Sequence, residues 1–199
     1  MKSQFMFSGI GGQGVISIGE LICQAAVRKG YTVTFSPSYG QEKRGGRTMC
    51  QMTVAEKMGS PIISEAELLL VMDDRSLKDY EAMVKPGGKL IINSNLVSIK
   101  PERIDIDIIR VPVNDLAMEL GNAKTANMVA LGVAMKYLNF VSLDEVKDEL
   151  KSVFPGKKEK LIPVNRDALD KGYTFKEYII RNRKYSIYVF LTGGIYYEQ

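Results

Sequence analysis

Three glycines at the spacing Gly-x-Gly-x-x-Gly constrain the fold of this 199-residue chain more than any other feature. They are Gly9, Gly11 and Gly14, in the segment Gly9-Ile10-Gly11-Gly12-Gln13-Gly14. Glycine at these positions permits a tight turn, a close approach of the backbone to a phosphate, and close packing of a helix on a strand. The segment therefore predicts a turn between a strand and a helix in an α/β domain.

The residues on both sides of this turn favour a parallel sheet. Gln4 to Ser8 has the pattern of a short buried strand, and apolar residues between Val15 and Lys29 recur on one helical face. Tyr31 to Ser36 is rich in β-forming residues, and we expect that strand to end at Pro37. A strand, a helix and a second strand within about thirty residues are typical of a parallel sheet.

The later segments predict more strands and then a helical region. Four apolar or β-branched runs are expected to be strands: Thr48 to Val54, Leu68 to Met72, Leu90 to Ile92, and Ile106 to Val111. Beyond them, apolar residues recur at helical spacing as far as Gly172, and Ser142 with Glu145 forms a capping-box pattern. The sequence thus predicts a C-terminal helical segment.

A second glycine-rich segment, from Tyr39 to Arg47, follows the second predicted strand. Its members with a proposed role are Tyr39, Lys43, Arg44, Gly45, Gly46 and Arg47. Guanidinium groups beside flexible backbone suit the binding of a carboxylate or a phosphate. A solvated loop with surface charges explains the same residues, and Tyr39 alone is equally consistent with simple packing.

The first glycine segment is open to three interpretations. A dinucleotide site expects an acidic residue about 20 positions further on, which would hold the ribose hydroxyls. No Asp or Glu occurs between Glu20 and Glu42, and this counts against an NAD site. The glycines could instead serve only a tight, closely packed turn, or they could contact another anion or cofactor.

The residue types exclude several kinds of catalytic site. The chain has no histidine for acid–base or triad chemistry, and its two cysteines, Cys23 and Cys50, cannot build an iron–sulfur cluster. Both cysteines lie in apolar patterns, so we expect buried thiols and not a disulfide. If the activity is a redox one, its electrons travel through other chains.

Charge and hydropathy limit the classes of partner that we expect this chain to bind. A net charge of +4 without a long basic block is too small for dedicated nucleic-acid binding, and it suits anionic ligands or an acidic partner. Gly9 and Gly11 interrupt the N-terminal apolar stretch, so no signal peptide is predicted. No run of 18 apolar residues occurs, so we predict a cytoplasmic chain without contact to a membrane.

Five motifs in the same order give the chain a specific resemblance. They are Gly9-Ile10-Gly11-Gly12-Gln13-Gly14, Pro37-Ser38-Tyr39-Gly40 with Arg44-Gly45-Gly46-Arg47, Gly59-Ser60-Pro61-Ile62, Lys85-Pro86-Gly87-Gly88 followed by Ile92-Asn93-Ser94, and Asn127-Met128-Val129-Ala130-Leu131-Gly132. Over about residues 3 to 175 the chain resembles the gamma subunit of the 2-oxoacid:ferredoxin oxidoreductases. The 2-oxoglutarate type is favoured by Gly59 to Ile62 and by Asn93-Ser94, and the pyruvate and ketoisovalerate types stay open.

The resemblance implies a fold and a setting. The fold is a three-layer α/β/α domain with a mostly parallel, Rossmann-like central sheet. In that family a 2-oxoacid is decarboxylated on thiamine diphosphate, the acyl group passes to coenzyme A, and iron–sulfur clusters carry electrons to ferredoxin. The thiamine diphosphate and the clusters are held mainly by partner subunits, so the chain is expected to hold no cofactor alone and to be inactive when isolated. Alpha and beta subunits, with a delta subunit in some cases, are the implied partners.

Two further expectations concern the site and the chain ends. Both glycine-rich segments are expected at a subunit interface, where they contact a shared ligand, and coenzyme A is the hypothesis; no catalytic residue is assigned. The cofactor-contacting residues would be Gly9, Gly11, Gly12, Gln13, Gly14, Tyr39, Arg44, Gly45, Gly46 and Arg47.

Residues 1–183 are expected to form one domain and 184–199 an extended arm or hairpin, and the isolated chain can homodimerise through surface meant for partners. A free-standing NAD(P)- or nucleotide-binding protein is the alternative.

Overall fold

One mixed sheet runs through most of the chain. The structure is a computed structural model that describes residues 2–42, 45–56, 63–176, 178–180, 186–190 and 195–198. Its strands are β1 (Lys2–Ile10), β2 (Thr32–Tyr39), β3 (Arg47–Ala55), β4 (Ala66–Val71), β5 (Val84–Asn93), β6 (Asp107–Val111), β7 (Tyr178–Ile180), β8 (Ser186–Phe190) and β9 (Ile195–Glu198). Its α-helices are α1 (Val15–Arg28), α2 (Asp74–Tyr80), α3 (Val113–Glu119), α4 (Ala126–Met135), α5 (Leu143–Asp148), α6 (Leu150–Val153) and α7 (Ile162–Thr174).

The order of the strands confirms the α/β class and refines the prediction of a mostly parallel sheet. Across the sheet the order is β2-β3-β1-β4-β5-β6-β7-β8-β9. The neighbours β1, β4, β5 and β6 are parallel, whereas the other neighbouring pairs are antiparallel. The parallel strands are apolar on both faces, as in Leu68 to Val71, because helices or loops cover both sides. The sheet is thus mixed, with four parallel strands at its centre.

The departure from a parallel arrangement is caused by β3. It lies between β1 and β2 and is antiparallel to both, so β1 and β2 run in the same direction without pairing. The hairpin from β2 to β3 closes locally, with Tyr39 opposite Thr48 and the Gly40 N–H donating to the Arg47 carbonyl at 2.5 Å. A short antiparallel hairpin costs little loop-closure entropy, so β3 folds back on β2.

Pro37 does not end β2 as expected. The strand continues through it to Tyr39, because β2 is the outermost strand and Pro37 can direct its missing N–H away from β3. The proline is therefore accommodated at the edge of the sheet.

Helices and loops cover the two faces unequally and complete three layers. On one face α1 and the helices after β6 pack on the sheet, in a core that includes Phe7, Ile18 and Leu131. The other face is covered by α2, by a single 3₁₀ turn (Glu81–Met83), and by Val97 and Ile106 in the segment between β5 and β6. The predicted C-terminal helical segment is confirmed as α3 to α7.

Local sequence signals explain how several helices begin or end. Asp73 caps α2 by accepting from the Ser76 N–H, and Ser142 and Glu145 form the expected capping box of α5. Gly30, just beyond α1, has a φ of 91°. That left-handed conformation explains the glycine that ends the helix.

The cysteines are buried free thiols, as predicted. The Cys23 Sγ donates to the Met52 Sδ at 3.1 Å inside the core. Burial raises the pKa of Cys50 to about 12, and it also raises the pKa of Cys23. Both thiols therefore stay protonated near neutral pH and are poor nucleophiles.

The C-terminal residues continue the sheet at the side opposite to β2. β7, β8 and β9 pair antiparallel in succession. Residues 191–194, in the predicted hairpin, lie outside the described residues. The division of the chain at residue 184 stays a prediction.

Helices α4 and α7 approach each other closely because a glycine of each faces the backbone of the other. A Cβ placed on Gly132 would clash with the Leu169 carbonyl oxygen, and a Cβ on Gly172 would clash with the Val129 carbonyl oxygen. Neither atom can move without shifting a helix, so these two glycines set the distance between the helices.

We predict that Gly132→Ala lowers the free energy of unfolding by about 1–3 kcal/mol, because the added methyl group forces α4 away from α7. Urea unfolding followed by circular dichroism measures the change. Asp167→Ala, on the exposed side of α7, is the matched control and should stay within about 0.5 kcal/mol of the parent chain. Equal stabilities of the two variants would contradict the close approach.

Candidate functional site

The two glycine-rich segments lie side by side. The first, residues 9–14, joins β1 to α1, and the second, residues 40–46, joins β2 to β3. The pairing of β1 with β3 sets Ile10 opposite Arg47, so both segments leave the sheet at the same end. The Gly11 N–H then donates to the Gly46 carbonyl oxygen at 2.8 Å. Backbone hydrogen bonding therefore fastens one segment to the other.

A cleft of about 500 Å³ lies between the segments. Its lining consists of Gly11, Gly12, Tyr39, Gly40, Glu42, Gly45, Gly46, Arg47 and Thr48. Six of the residues predicted from sequence are among them: Gly11, Gly12, Tyr39, Gly45, Gly46 and Arg47. Gly9, Gln13 and Gly14 are not part of this lining, and Arg44, with Lys43, lies outside the described residues.

Gly12 and Gly45 leave open space in this cleft. Each has a positive φ, 100° for Gly12 and 66° for Gly45, and a Cβ at either position would meet no atom within 4 Å. Bare backbone in a left-handed conformation can approach a ligand closely and present its N–H to an anion. Tyr39 is 67% exposed beside them and offers a flat amphipathic surface.

Gly9 and Gly14 have packing roles in the same turn. Gly14 precedes α1 with a φ of 73°, and a Cβ there would clash with the Asn127 side chain. A Cβ on Gly9 would clash with the Gln13 side chain. These two glycines thus permit close packing inside the protein, which is one of the interpretations that the sequence left open.

Gln13 fastens the first glycine segment across the end of the sheet. Its Oε1 accepts from the Ile10 N–H at 2.8 Å, and its Nε2 donates to the Met72 carbonyl oxygen at 3.1 Å. Met72 follows β4, the parallel neighbour of β1, so this side chain bridges the carboxyl ends of two parallel strands. Dinucleotides bind at such ends of open α/β sheets, and here Gln13 occupies part of that space.

The structure gives two further reasons against a dinucleotide site. The Gly11 N–H, which would face a pyrophosphate, already donates to Gly46. β3 separates β1 from β2, and the segment Thr32–Tyr39 carries no carboxylate to hold a ribose. The NAD(P) alternative is therefore not favoured.

Arg47 is paired with α2 and is not a free cation. Its guanidinium forms an ion pair with Asp79, lies 5.6 Å from the centre of the Tyr80 ring, and donates to the Tyr80 hydroxyl at 3.5 Å. Burial alone would lower the pKa of Arg47, but the hydrogen bond to Tyr80 and the carboxylates of Asp79 and Glu42 raise it above its usual value. Arg47 Nε is buried and has no hydrogen-bond partner within the described part of the chain.

A second ion pair connects the same loop to α2. The Arg75 guanidinium lies 3.6 Å from the Glu42 carboxylate, and both side chains are at least half exposed. Arg75 and Asp79 are one helical turn apart, so α2 offers one charge of each sign to the loop. The exposed pair contributes little alone. Together the two pairs connect Glu42 and Arg47, near the two ends of the loop, to α2.

A second cleft lies on the other side of this loop. Its volume is about 370 Å³, and it includes Ser38, Met49, Arg75 and Tyr80. Tyr39, Gly40, Glu42 and Arg47 line both clefts. The loop is therefore a wall that the two clefts share.

The motif used to favour 2-oxoglutarate has a structural role at Asn93. This buried side chain donates to Asn114 Oδ1 at 2.8 Å and accepts from the Asn95 N–H at 3.2 Å. It thereby joins the ends of β5 and α3. Gly59 to Ile62 lie outside the described residues.

Sequence patterns did not reveal the partners of Arg47. Asp79 and Tyr80 are more than thirty positions away along the chain and belong to no motif.

Within the described residues no group of three or more His, Cys, Asp or Glu side chains could hold a metal ion. No helix among them is long and apolar enough to cross a membrane.

Comparison with known proteins gives a consistent result. A family model described as pyruvate ferredoxin/flavodoxin oxidoreductase matches residues 4–175. Ketoisovalerate oxidoreductase subunit VorA of Methanothermobacter thermautotrophicus is 34% identical over 83% of this chain, but the match is only 34% of that protein. The chain thus spans about a third of that relative. 2-Oxoglutarate synthase subunit KorC of Methanocaldococcus jannaschii is 30% identical over 87% of this chain and 93% of its own length.

Two solved structures share the fold. The gamma subunit of a keto/oxoacid ferredoxin oxidoreductase from Geobacter sulfurreducens has a TM-score of 0.75 and 28% identity, over 87% of this chain and 95% of that one. A 2-oxoglutarate:ferredoxin oxidoreductase from Magnetococcus marinus, with 2-oxoglutarate, coenzyme A and succinyl-CoA bound, has a TM-score of 0.78 and 25% identity, over 86% of this chain and 30% of that one.

We predict that Gln13→Ala lowers the free energy of unfolding by about 1–3 kcal/mol, because Ile10 N–H and the Met72 carbonyl lose their partner together. Thermal and urea unfolding of the purified chain measure the loss. Gln41→Ala, an exposed change in the second segment, is the control and should be nearly neutral. A neutral Gln13→Ala would show that the bridge does not hold the turn.

Proposed function

The chain belongs to the pyruvate ferredoxin/flavodoxin oxidoreductase family, and from this membership we propose that it is the gamma-type component of a 2-oxoacid:ferredoxin oxidoreductase. The complete enzyme would oxidatively decarboxylate a 2-oxoacid to an acyl-CoA and CO₂ and reduce ferredoxin. The observation that carries the proposal is the match to a 2-oxoglutarate synthase subunit along nearly its full length. Alpha and beta subunits, with a delta subunit in some assemblies, are the proposed partners.

The groups that this reaction uses fit the chain to different degrees. An iron–sulfur cluster needs several cysteine thiolates, and the two cysteines here are both buried and protonated. These residues do not fit a cluster. We propose that the clusters and thiamine diphosphate are held by the partner subunits, and no step of the reaction is assigned to them on this chain.

The cleft between the glycine segments fits an anionic ligand better. The backbone at Gly12 and Gly45 is open, and the buried Arg47 Nε lacks a hydrogen-bond partner within the described residues. We propose that this cleft contacts the diphosphate of coenzyme A, the acyl acceptor of the reaction. Gly11, Gly46, Tyr39 and Arg44 are the other residues that we propose around it. Their role is to bind and orient this substrate at the interface with a partner subunit.

The 2-oxoacid is proposed from the family and not from a contact in this chain. Relatives act, by their names, on ketoisovalerate, 2-oxoglutarate, indolepyruvate or pyruvate. 2-Oxoglutarate is the substrate we propose, and ketoisovalerate is the second candidate. A cytoplasmic location remains a prediction from sequence.

We predict that the purified chain has no oxidoreductase activity and gains it on reconstitution with alpha and beta subunits. The assay measures coenzyme A-dependent reduction of a viologen with 2-oxoglutarate, ketoisovalerate, pyruvate and indolepyruvate in parallel. The highest kcat/KM is expected with 2-oxoglutarate. Full activity of the partners without this chain would contradict its proposed role, whereas a preference for another 2-oxoacid would contradict only the substrate.

The proposed contact with coenzyme A is tested by two variants that break the same ion pair. Arg47→Ala and Asp79→Ala both separate the loop from α2, but only Arg47→Ala removes the cation. We predict that Arg47→Ala raises the KM for coenzyme A about tenfold, which corresponds to the loss of one charge-assisted hydrogen bond. Asp79→Ala should raise it much less, and neither variant should change the KM for the 2-oxoacid.

Arg44→Ala extends this test to the other guanidinium of the loop, and it should raise the same KM. If Arg47→Ala and Asp79→Ala had equal effects, Arg47 would hold the loop and would not contact the substrate. An unchanged KM for coenzyme A in both arginine variants would remove coenzyme A from this cleft.

A further inference from the structure

The outer edge of β2 is open in the sheet. β2 is the terminal strand of the order, so one edge pairs with β3 and the other has no strand beside it among the described residues. An edge strand presents N–H and C=O groups that can pair with another chain. Ser38 and Tyr39, at the end of β2, also line the clefts described above, whereas Thr32 to Pro37 line neither of them.

The pairing with β3 determines which backbone groups point outward. The Gly40 N–H donates to the Arg47 carbonyl. The backbone N–H and C=O groups of even-numbered residues in this strand therefore point toward β3, and those of odd-numbered residues point away from it. Val33, Phe35 and Tyr39 therefore direct their N–H and C=O groups outward. Pro37 lies in the same series, where its missing N–H costs no bond to β3.

The edge lacks the usual protection against pairing. No charged residue occurs from Tyr31 to Gly40. Edge strands that stay unpaired commonly carry lysine or another charge, which disfavours the approach of a second strand. Pro37 is the one blocking residue in the strand, and it removes a single donor.

We propose that β2 pairs antiparallel with β2 of a second copy of this chain, about a two-fold axis at Ser36. The two sheets would then form one continuous sheet through the dimer. A two-fold interface uses the same surface on both copies, so it requires a strand that is complementary to itself. The neutral β2 meets this requirement, because no like charges face each other across the axis.

This register uses every outward N–H of the strand. Val33 lies opposite the partner's Tyr39, and these two residues exchange both of their backbone hydrogen bonds. Phe35 lies opposite the partner's Pro37 and donates to its carbonyl oxygen. Each copy therefore donates from Val33, Phe35 and Tyr39, and the proline lies where only an acceptor is needed.

The side chains also suit this register. Ser36 faces Ser36 of the second copy, and Thr34 faces Ser38. One face of the paired strands therefore carries small polar side chains. On the other face the partner's Tyr39 lies over Val33. Tyr39 is 67% exposed in the single chain, and pairing would cover part of its ring.

The test introduces charges at the proposed two-fold axis of the dimer and uses the whole 199-residue chain. Ser36→Glu and Ser36→Lys each bring two like charges together in a dimer, and Ser36 is partly exposed in the single chain. Analytical ultracentrifugation should show a dimer for the parent chain and monomers for each variant. An equimolar mixture of the two variants should recover the dimer, because Glu and Lys then face each other.

A cross-link tests the register itself. Ser36→Cys places two thiols in a pair whose Cα atoms are about 4.5 Å apart, a separation that a disulfide spans. Mild oxidation should give a covalent dimer, whereas Val27→Cys, exposed on α1, should not. The native cysteines are buried and do not interfere.

Each of the remaining outcomes overturns the proposal. A monomeric parent chain would show that β2 does not pair with itself. Dimers that persist in both charged variants would place the interface elsewhere. Failure of the mixed variants to associate, with unchanged melting temperatures, would exclude the axis at Ser36.

Discussion

The antiparallel pairing of β3 with β1 is the interaction on which the arrangement of the candidate site depends. It sets Ile10 opposite Arg47 and so delivers residues 40–46 to the turn that follows β1. The hydrogen bond from Gly11 to Gly46 is a consequence of that register. A shift by one residue would turn Arg47 to the opposite face of the sheet and separate it from Asp79.

The same pairing makes the surroundings of the glycine turn different from those in a dinucleotide-binding fold. In a dinucleotide fold, the strand next to β1 is parallel and carries the acidic residue for the ribose. Here that neighbour is antiparallel, and its loop covers part of the glycine turn. The side chain of Gln13 bridges β1 and β4 nearby. The space that remains is a cleft lined by glycine backbone and by Tyr39, Glu42, Arg47 and Thr48.

Sequence alone predicts the features that depend on neighbouring residues. The turn at Gly9 to Gly14, the caps at Asp73 and Ser142, and the burial of the two cysteines all follow from short patterns. The position of β3 does not, because a strand that reads Thr48 to Val54 has the same pattern whether it pairs parallel or antiparallel. The partners of Arg47 are equally hidden, since Asp79 is brought close only by the fold.

The loop of residues 40–46 separates two clefts and is a wall of both. A molecule that moves this wall on binding in one cleft changes the shape of the other. For such a molecule the two clefts would be linked thermodynamically, and the effect of a ligand in the first cleft on the second would equal the effect of the second on the first. A single loop of seven residues would then transmit the occupancy of one surface of the chain to the other.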